Sequence, residues 1–338
     1  MNAPVTGQSF LPKDYATDQE VRWCPGCGDY AILKAVQKTL ADIQADPANT
    51  VFVSGIGCAA RFPYYIETYG FHTIHGRAPA VATGIKLANP NLDVWVVGGD
   101  GDFLSIGGNH LIHAIRRNID LTLLLFNNEI YGLTKGQCSP TSKIGTKSPS
   151  TPGGSIDQPL SGLKLAMGAG ARFIARSIDT QQKILPGILK RAHDHRGAAL
   201  VEIIQNCIVY NDGAFADFTE RAHEKDRQVH LVHGEPMIFG KDADRGLRFN
   251  SAMMAIEAVN LEGDIGEGDL LVHDERNAGL ARQLTAMADP ALPVPIGVIY
   301  DDPAPNYDAE VAAQMAKAAP EPHDLNALLR QGATWHMG

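Results

Sequence analysis

The sequence predicts a doubly wound α/β fold, in which a mostly parallel sheet carries helices on both faces and is followed by a C-terminal extension. Short apolar runs alternate with stretches of helical periodicity through the first two thirds of the chain, as in strands that are joined by crossover helices. The apolar runs do not alternate with polar residues. This pattern indicates strands that are buried on both faces of the sheet.

The predicted elements follow one another in regular order. The strands occupy residues 51–57, 93–100, 120–127, 172–177 and 199–205. The helical periods around them occupy residues 30–43, 78–88, 107–117, 158–167 and 180–193. Because this series ends near Tyr210, we predict a first domain of residues 1–215 and an extension of residues 216–338.

Two segments interrupt the alternation. Residues 134–158 are rich in Ser, Thr, Gly and Pro and have no periodicity, and a loop of this length in a compact domain is usually functional. Residues 219–228 form a cluster of charged side chains that leads into the extension. There we expect one helix near residues 251–259 and a short strand in the sequence PIGVIYDD.

Composition excludes several classes of protein. The chain has 29 Lys and Arg against 38 Asp and Glu, a net charge of −9, which argues against nucleic-acid binding. No run approaches the roughly 20 apolar residues that span a bilayer, and the N-terminus lacks the pattern of a signal peptide. We therefore expect a cytoplasmic protein that is not bound to a membrane. Its five cysteines suit ligation or catalysis better than a disulfide framework.

Two polar motifs end neighbouring predicted strands. GGDGD ends one strand, NNEIYG ends the next, and 25 residues separate GDG from the Asn pair. The carboxyl ends of such strands lie side by side, where α/β sheets bind ligands. Asp100 and Asn128 can then ligate a hard divalent cation through oxygen. Gly99 and Gly101 let the backbone approach a phosphate, and the helix that opens at Asp102 favours its negative charge.

This pair of motifs resembles the thiamine diphosphate-binding motif, in which Mg²⁺ bridges the cofactor to an Asp, an Asn and a main-chain carbonyl. The resemblance assigns these roles to Asp100, Asn128 and Ile130, and we also expect Gly57 and Leu133 to contact the cofactor. The sequence GIGCAA offers an alternative, a dinucleotide-binding fingerprint. A proline that follows shortly after its last glycine interrupts the helix that should come next, and its acidic ribose partner is unclear.

The sequence WCPGCG contains two thiols, Cys24 and Cys27. They could form a redox disulfide, half of a zinc site or part of an iron–sulfur site. A redox dithiol usually follows a strand, and a structural zinc site usually needs a second pair of ligands at close spacing. A four-cysteine iron–sulfur site accepts scattered ligands. Cys58 and Cys207 each follow a predicted strand, so both should emerge at the same edge of the sheet as GDG and NN.

Together, the ordered motifs WCPGCG, SGIGC, HGRA, GGDGD, NNEIYGLTKGQ with SPTS, and a late NC resemble the β subunit of 2-oxoacid:ferredoxin oxidoreductases. The resemblance covers residues 22–211. It implies thiamine diphosphate, Mg²⁺ and one 4Fe–4S cluster, with Cys24, Cys27, Cys58 and Cys207 as cluster ligands. Cys138 matches no required position and is expected to be a free thiol.

The resemblance also implies a reaction and partners. The reaction is oxidative decarboxylation of a 2-oxo acid with coenzyme A, giving an acyl-CoA, CO₂ and reduced ferredoxin, and it is reversible. Thiamine diphosphate needs a Glu from a pyrimidine-binding domain, and we find no such domain in this sequence. The resemblance therefore implies an α subunit that carries this Glu, without which the chain is inactive.

Three alternatives to a 2-oxoglutarate enzyme remain open. Resemblance favours 2-oxoglutarate and succinyl-CoA, with pyruvate as the alternative substrate. A non-redox thiamine-dependent decarboxylase half would use the cysteines for structural zinc. An electron-transfer module would retain only a vestigial diphosphate motif.

Three residues are candidates for catalysis. Arg61 is suited to a bidentate contact with the substrate carboxylate. Lys135 is suited to an anionic group of the substrate or of coenzyme A. His75, in HGRA, resembles a family position beside the cofactor.

Overall fold

A computed structural model describes residues 9–318, 324–335 and 337 of the chain. In this part of the chain the strands are β1 (Thr50–Ser54), β2 (Tyr69–His72), β3 (Asp93–Gly99), β4 (Leu121–Asn127), β5 (Ile130–Tyr131), β6 (Gln137–Cys138), β7 (Phe173–Ile178), β8 (Ala198–Ile204), β9 (Gln228–His230), β10 (Ile238–Phe239), β11 (Arg245–Asn250), β12 (Ala255–Asn260) and β13 (Val294–Asp301). Eight of them form the main sheet, in the order β2-β1-β3-β4-β8-β7-β13-β9.

The helices cover both faces of the main sheet. They are α1 (Asp29–Asp42), α2 (Ala78–Ala88), α3 (Gly108–Arg116), α4 (Gly162–Gly168), α5 (Leu185–Asp194), α6 (Ala216–Thr219), α7 (Glu224–Arg227), α8 (Ala278–Ala286), α9 (Tyr307–Ala318) and α10 (Leu325–Leu329). The buried side chains of α1 and α5 pack into one core, whereas those of α2, α3, α4 and α8 pack into another. Within the described ranges, no helix is long and apolar enough to cross a membrane.

The central strands are buried on both faces, as the sequence predicts. All residues of β4 and of β8 are buried, and β1, β3, β4, β8 and β7 pair in parallel. The exception is β13, which pairs with β7 in the antiparallel direction. The prediction of a doubly wound, mostly parallel α/β fold is confirmed.

Each predicted strand and helix of the first 210 residues has an observed counterpart. The predicted and observed elements differ only in the residues at which they begin or end. The helix predicted for residues 158–167 begins only at Gly162. The Ser161 side chain accepts a hydrogen bond from the Lys164 amide and caps the helix there. The period predicted for residues 180–193 begins at Leu185, with Pro186 in its first turn.

The helix expected near residues 251–259 is wrong, because β12 occupies most of this segment and pairs with β11. The Asn250 side-chain oxygen accepts hydrogen bonds from the Ala252 and Met253 amides, and Met254 has a φ of 52°. These contacts close a turn. Glu257 then pairs across the two strands with Arg248, so a cross-strand ion pair and a side-chain turn outweigh helix propensity.

The main sheet continues across the boundary expected at residues 215 and 216. β9 and β13 both follow this boundary, yet they complete the sheet next to β7. β10, β11 and β12 form a separate three-stranded sheet. The division of the chain into two domains stays a prediction.

Candidate functional site

A cavity of about 170 Å³ opens where β1, β3 and β4 end. All eight residues that the sequence suggests for cofactor binding line it, namely Gly57, Gly99, Asp100, Gly101, Asp102, Asn128, Ile130 and Leu133. His75 also lines the cavity. The sheet thus brings together motifs that are far apart in the sequence, because the carboxyl ends of parallel strands lie at the same edge of the sheet.

Asp100 is the buried carboxylate of this cavity. It follows β3 directly, and burial raises its pKa to about 6. The Thr141 hydroxyl donates to its Oδ2 at 2.5 Å. Because Thr141 belongs to SPTS in the long loop of residues 134–158, this loop reaches the carboxylate. A bound cation would favour the charged form of Asp100 that burial disfavours.

A tight turn after β4 orients the second group of oxygen atoms. Glu129 has a φ of 56°, and the Asn128 Oδ1 accepts a hydrogen bond from the Ile130 amide at 3.2 Å. The Asn128 Nδ2 donates to Gln205 Oε1 at 2.8 Å, which fixes the orientation of the amide. The set of a carboxylate, an amide oxygen and a nearby main-chain carbonyl suits Mg²⁺.

Two glycines give this cavity its shape. Gly57 has a φ of 119°, and a Cβ built on it would meet no protein atom within 4 Å, so this backbone faces open space. A Cβ on Gly101 would lie 2.1 Å from the Tyr131 ring, whose hydroxyl donates to the Gly101 carbonyl at 3.2 Å. The oxygen donors and the bare backbone at Gly57 together fit a magnesium diphosphate group.

Asp102 has contacts that the sequence did not predict. Its Oδ1 accepts hydrogen bonds from His75 Nδ1 at 2.5 Å, from the Gly76 amide at 2.8 Å and from the Ile56 amide at 3.0 Å. Its Oδ2 is buried and has no hydrogen-bond partner within the described part of the chain. The side chain therefore joins three loops of the cavity, in addition to opening the helical turn Asp102–Ile106.

Two of the four predicted cluster cysteines converge beside the cavity. A Cβ built on Gly132 would lie 3.5 Å from the Sγ atoms of both Cys58 and Cys207. Cys58 occupies the position directly before the short 3₁₀ helix Ala59–Tyr64, and burial raises its pKa to about 12. Cys27 is partly buried, which raises its pKa further, and Cys24 is exposed. Over the ranges described, no group of three or more His, Cys, Asp or Glu side chains is already arranged to hold a metal.

Gln205 joins the cysteines to the diphosphate motif. Its Nε2 donates to Cys27 Sγ at 3.2 Å, and its Oε1 accepts from Asn128. Asn211 makes a second link, since its Nδ2 donates to the Asn128 carbonyl at 2.8 Å. Sequence reasoning missed both residues, and the signal for Gln205 was its position at the carboxyl end of a predicted strand.

Asp29 is a further residue that the sequence did not suggest. It lines the cavity, its Oδ2 is buried and finds no hydrogen-bond partner among the residues described, and desolvation raises its pKa to about 7. The only indication of it in the sequence is its position directly after WCPGCG, at the start of α1.

The other catalytic candidates lie outside the lining of the cavity. The Arg61 Nε donates to the Tyr65 hydroxyl at 3.0 Å. Lys135 is exposed on a turn with a φ of 78°, and its amide donates to the Gly132 carbonyl at 3.0 Å. Cys138 is not a catalytic candidate but the cysteine that is expected to be a free thiol. Its Sγ lies 3.2 Å from the Thr151 hydroxyl.

Comparisons with known proteins agree with these features. Residues 55–203 match the family described as thiamine pyrophosphate enzyme, C-terminal TPP binding domain. The chain is 46% identical, over 98% of its length and 90% of the relative, to the 2-oxoglutarate oxidoreductase subunit KorB of Mycobacterium tuberculosis. It is 49% identical, over 60% of its length and 64% of the relative, to the β subunit of 2-oxoacid:ferredoxin oxidoreductase 1 of Aeropyrum pernix.

Among solved structures, the fold is similar to the 2-oxoglutarate:ferredoxin oxidoreductase of Magnetococcus marinus with 2-oxoglutarate, coenzyme A and succinyl-CoA bound. The TM-score is 0.78 with 32% identity, over 98% of both chains. The similarity thus includes the extension as well as the first 215 residues.

Proposed function

The chain belongs to the family of 2-oxoacid:ferredoxin oxidoreductase β subunits, and we propose that it is the subunit that holds thiamine diphosphate, Mg²⁺ and a 4Fe–4S cluster in a 2-oxoglutarate:ferredoxin oxidoreductase. The assembled enzyme converts 2-oxoglutarate and coenzyme A to succinyl-CoA and CO₂, and reduces ferredoxin. The observation that supports this most strongly is the cavity itself, because the buried Asp100, the Asn128 turn and two converging cysteines meet there.

The cation is assigned to Asp100, Asn128 and the carbonyl of Ile130. When bound, thiamine diphosphate supplies an electron sink for the carbanion that loss of CO₂ leaves, which side chains cannot provide. The role of the protein is to hold the diphosphate against the bare backbone of Gly57, while Gly101 leaves room for the Tyr131 ring. Leu133, which lines the same cavity, provides an apolar contact.

The cluster is assigned to Cys24, Cys27, Cys58 and Cys207, and such a cluster exchanges single electrons. Cys58 directly follows Gly57, which lines the cavity. The Gln205 side chain contacts both Cys27 and Asn128. This closeness supports electron transfer between the two cofactors.

The α subunit completes the site. The acidic residues that line the cavity are Asp29, Asp100 and Asp102, and no Glu of the described ranges lines it. The Glu that activates the cofactor must then come from the partner. The family names support such a partner, since β subunits are named for their place in a larger assembly.

The names of the relatives favour 2-oxoglutarate over pyruvate. Lys135, which is exposed two residues after Leu133, and Arg61 are proposed to bind anionic groups of the substrate or of coenzyme A once the complex is assembled. His75 is proposed to act at the reacting atoms, because it is the candidate that lines the cavity.

The test is to produce the chain with its α subunit under anaerobic conditions. Iron, acid-labile sulfide and zinc are measured first, and viologen reduction is then followed with coenzyme A and either 2-oxoglutarate or pyruvate. We expect about four irons per β chain and a preference for 2-oxoglutarate. Cys58→Ser should lose iron and dye reduction, whereas Cys138→Ser, the matched control, should keep both. Zinc without iron would contradict the redox function, and a preference for pyruvate would contradict the substrate.

A further inference from the structure

The contact between Asp102 and His75 indicates a role that differs from cofactor binding. We propose that Asp102 is a positioning residue, which holds the imidazole of His75 as the tautomer protonated at Nδ1 and leaves Nε2 free to act on an oxygen of the substrate. The identity of that substrate rests on the proposed function. The tautomer does not, because it follows from the contacts of this chain alone.

The hydrogen bonds of Asp102 determine which nitrogen carries the proton. The Gly76 and Ile56 amides both donate to Oδ1, so this oxygen is an acceptor. His75 Nδ1 lies 2.5 Å from the same oxygen and must therefore be the donor. In a neutral imidazole the other ring nitrogen, Nε2, is then the acceptor.

The surrounding backbone fixes the position of the imidazole. Gly76 has a φ of 71°, and a Cβ built on it would lie 2.5 Å from the Gly107 amide nitrogen. Only glycine permits this close approach of the two loops. The Tyr131 ring packs edge-on against the imidazole, with 6.2 Å between ring centroids. The charged neighbour on the same loop, Arg77, donates to the Ile106 carbonyl and so is directed to the helical turn.

This arrangement allows Nε2 to give one proton to the substrate and to recover one from the product, so that the protonation state of His75 is the same after each turnover. Nε2 first takes up a proton from solvent, and the resulting imidazolium gives that proton to the carbonyl oxygen of the 2-oxo acid as that oxygen gains charge. The same nitrogen recovers the proton when the oxygen becomes a carbonyl again in the product. The buried carboxylate of Asp102 stabilises the imidazolium that forms each time.

The first measurement is ¹⁵N NMR of the histidine-labelled complex at neutral pH, with the His75 signals assigned by their loss in His75→Gln. We expect a proton on Nδ1 and none on Nε2. A neutral His75 that carries its proton on Nε2 would overturn the proposal. This readout does not require substrate turnover or a bound cofactor.

The second measurement compares kcat, KM for 2-oxoglutarate and thiamine diphosphate affinity in Asp102→Asn, His75→Gln and the double variant. The Asn side chain keeps an oxygen for the two backbone amides but removes the charge. We expect Asp102→Asn to lower kcat about tenfold with KM and cofactor affinity unchanged, and to have no further effect in the His75→Gln background. An equal loss in both backgrounds would show that Asp102 acts independently of His75.

Asp93→Asn is the matched control, because Asp93 Oδ1 lies 3.3 Å from His193 Nδ1 at the opposite end of β3. It should leave kcat within about twofold of the wild-type value. A wild-type complex that oxidises no 2-oxo acid would contradict the proposed function, and the NMR measurement would still decide the role of Asp102.

Discussion

At the scale of single residues, the cavity concentrates buried negative charge. Asp29, Asp100 and Asp102 all line it, and all three are almost completely buried. Burial raises the pKa of Asp29 to about 7 and that of Asp100 to about 6, because neither carboxylate is paired with a cationic side chain of the described residues. The charge is unfavourable in the metal-free chain, and it is the charge that a bound cation would offset.

The pKa of Asp29 predicts how the stability of the metal-free chain depends on pH. The folded chain binds this proton more tightly than the unfolded chain, in which the carboxyl has its ordinary pKa of 3.8. The free energy of unfolding therefore falls as pH rises from about 4 to 7. The loss is up to about 4 kcal/mol, from a folded pKa of about 7.

Asp29→Asn should remove this loss. Urea unfolding of the reduced, metal-free chain should give nearly equal stabilities for variant and wild type at about pH 4.5, and a more stable variant at about pH 7.5. Asp42→Asn, on the exposed end of the same helix, should show no such difference. A gain in stability that is the same at both pH values would rule out ionisation of Asp29 as the cause.

At the scale of elements, the sequence predicts those that local pattern determines. β4 is predicted because its residues are apolar almost without interruption, and α2 has the predicted bounds. The positions of β9 and β13 next to β7 depend on contacts between residues far apart in the sequence, which no local pattern reports. The same holds in the site: Asp100 and Asn128 have a motif, whereas Thr141 and Gln205 reach them only through the folded loops.

One buried ion pair links the core of the sheet to the site. Glu202 lies in the middle of β8, where every residue is buried, and accepts from Arg176 Nε on β7 at 2.7 Å. Its other oxygen accepts from Asn127 Nδ2 at 2.9 Å. The Thr141 hydroxyl lies 3.1 Å from Asn127 Oδ1 and 2.5 Å from Asp100 Oδ2, and its one proton is donated to one of these oxygens at a time. A charged residue in an apolar strand thus supports the loop that holds the carboxylate.

Glu202→Leu should destabilise the chain by about 3–5 kcal/mol, because it leaves the charge of Arg176, whose side chain is only 14% exposed, without its partner. Replacing both residues, with Arg176→Met added to Glu202→Leu, should restore much of this loss. Urea unfolding of the two single variants and the double variant measures the coupling. Additive losses would show that the two side chains do not depend on each other.

At the scale of the whole molecule, one edge of the main sheet is open. Every residue of β2 is exposed. An exposed, apolar edge strand favours association with another chain. Tyr69 and Phe71 lie on this strand, and Ile74 follows it one residue before His75. Because the proposed function requires a Glu from the α subunit at the cavity, we expect that subunit to cover this edge.

Phe71→Glu should therefore weaken assembly. Phe71 is 47% exposed, so the substitution buries no charge in the isolated chain, whereas it places one in the interface when the α subunit binds. Phe249→Glu is the matched control, since Phe249 is 39% exposed on the separate three-stranded sheet. Sedimentation of the co-expressed subunits should show about a tenfold or larger loss of complex for Phe71→Glu and little change for Phe249→Glu. Full assembly of the Phe71 variant, with wild-type activity, would mean that the α subunit approaches the cavity from another side.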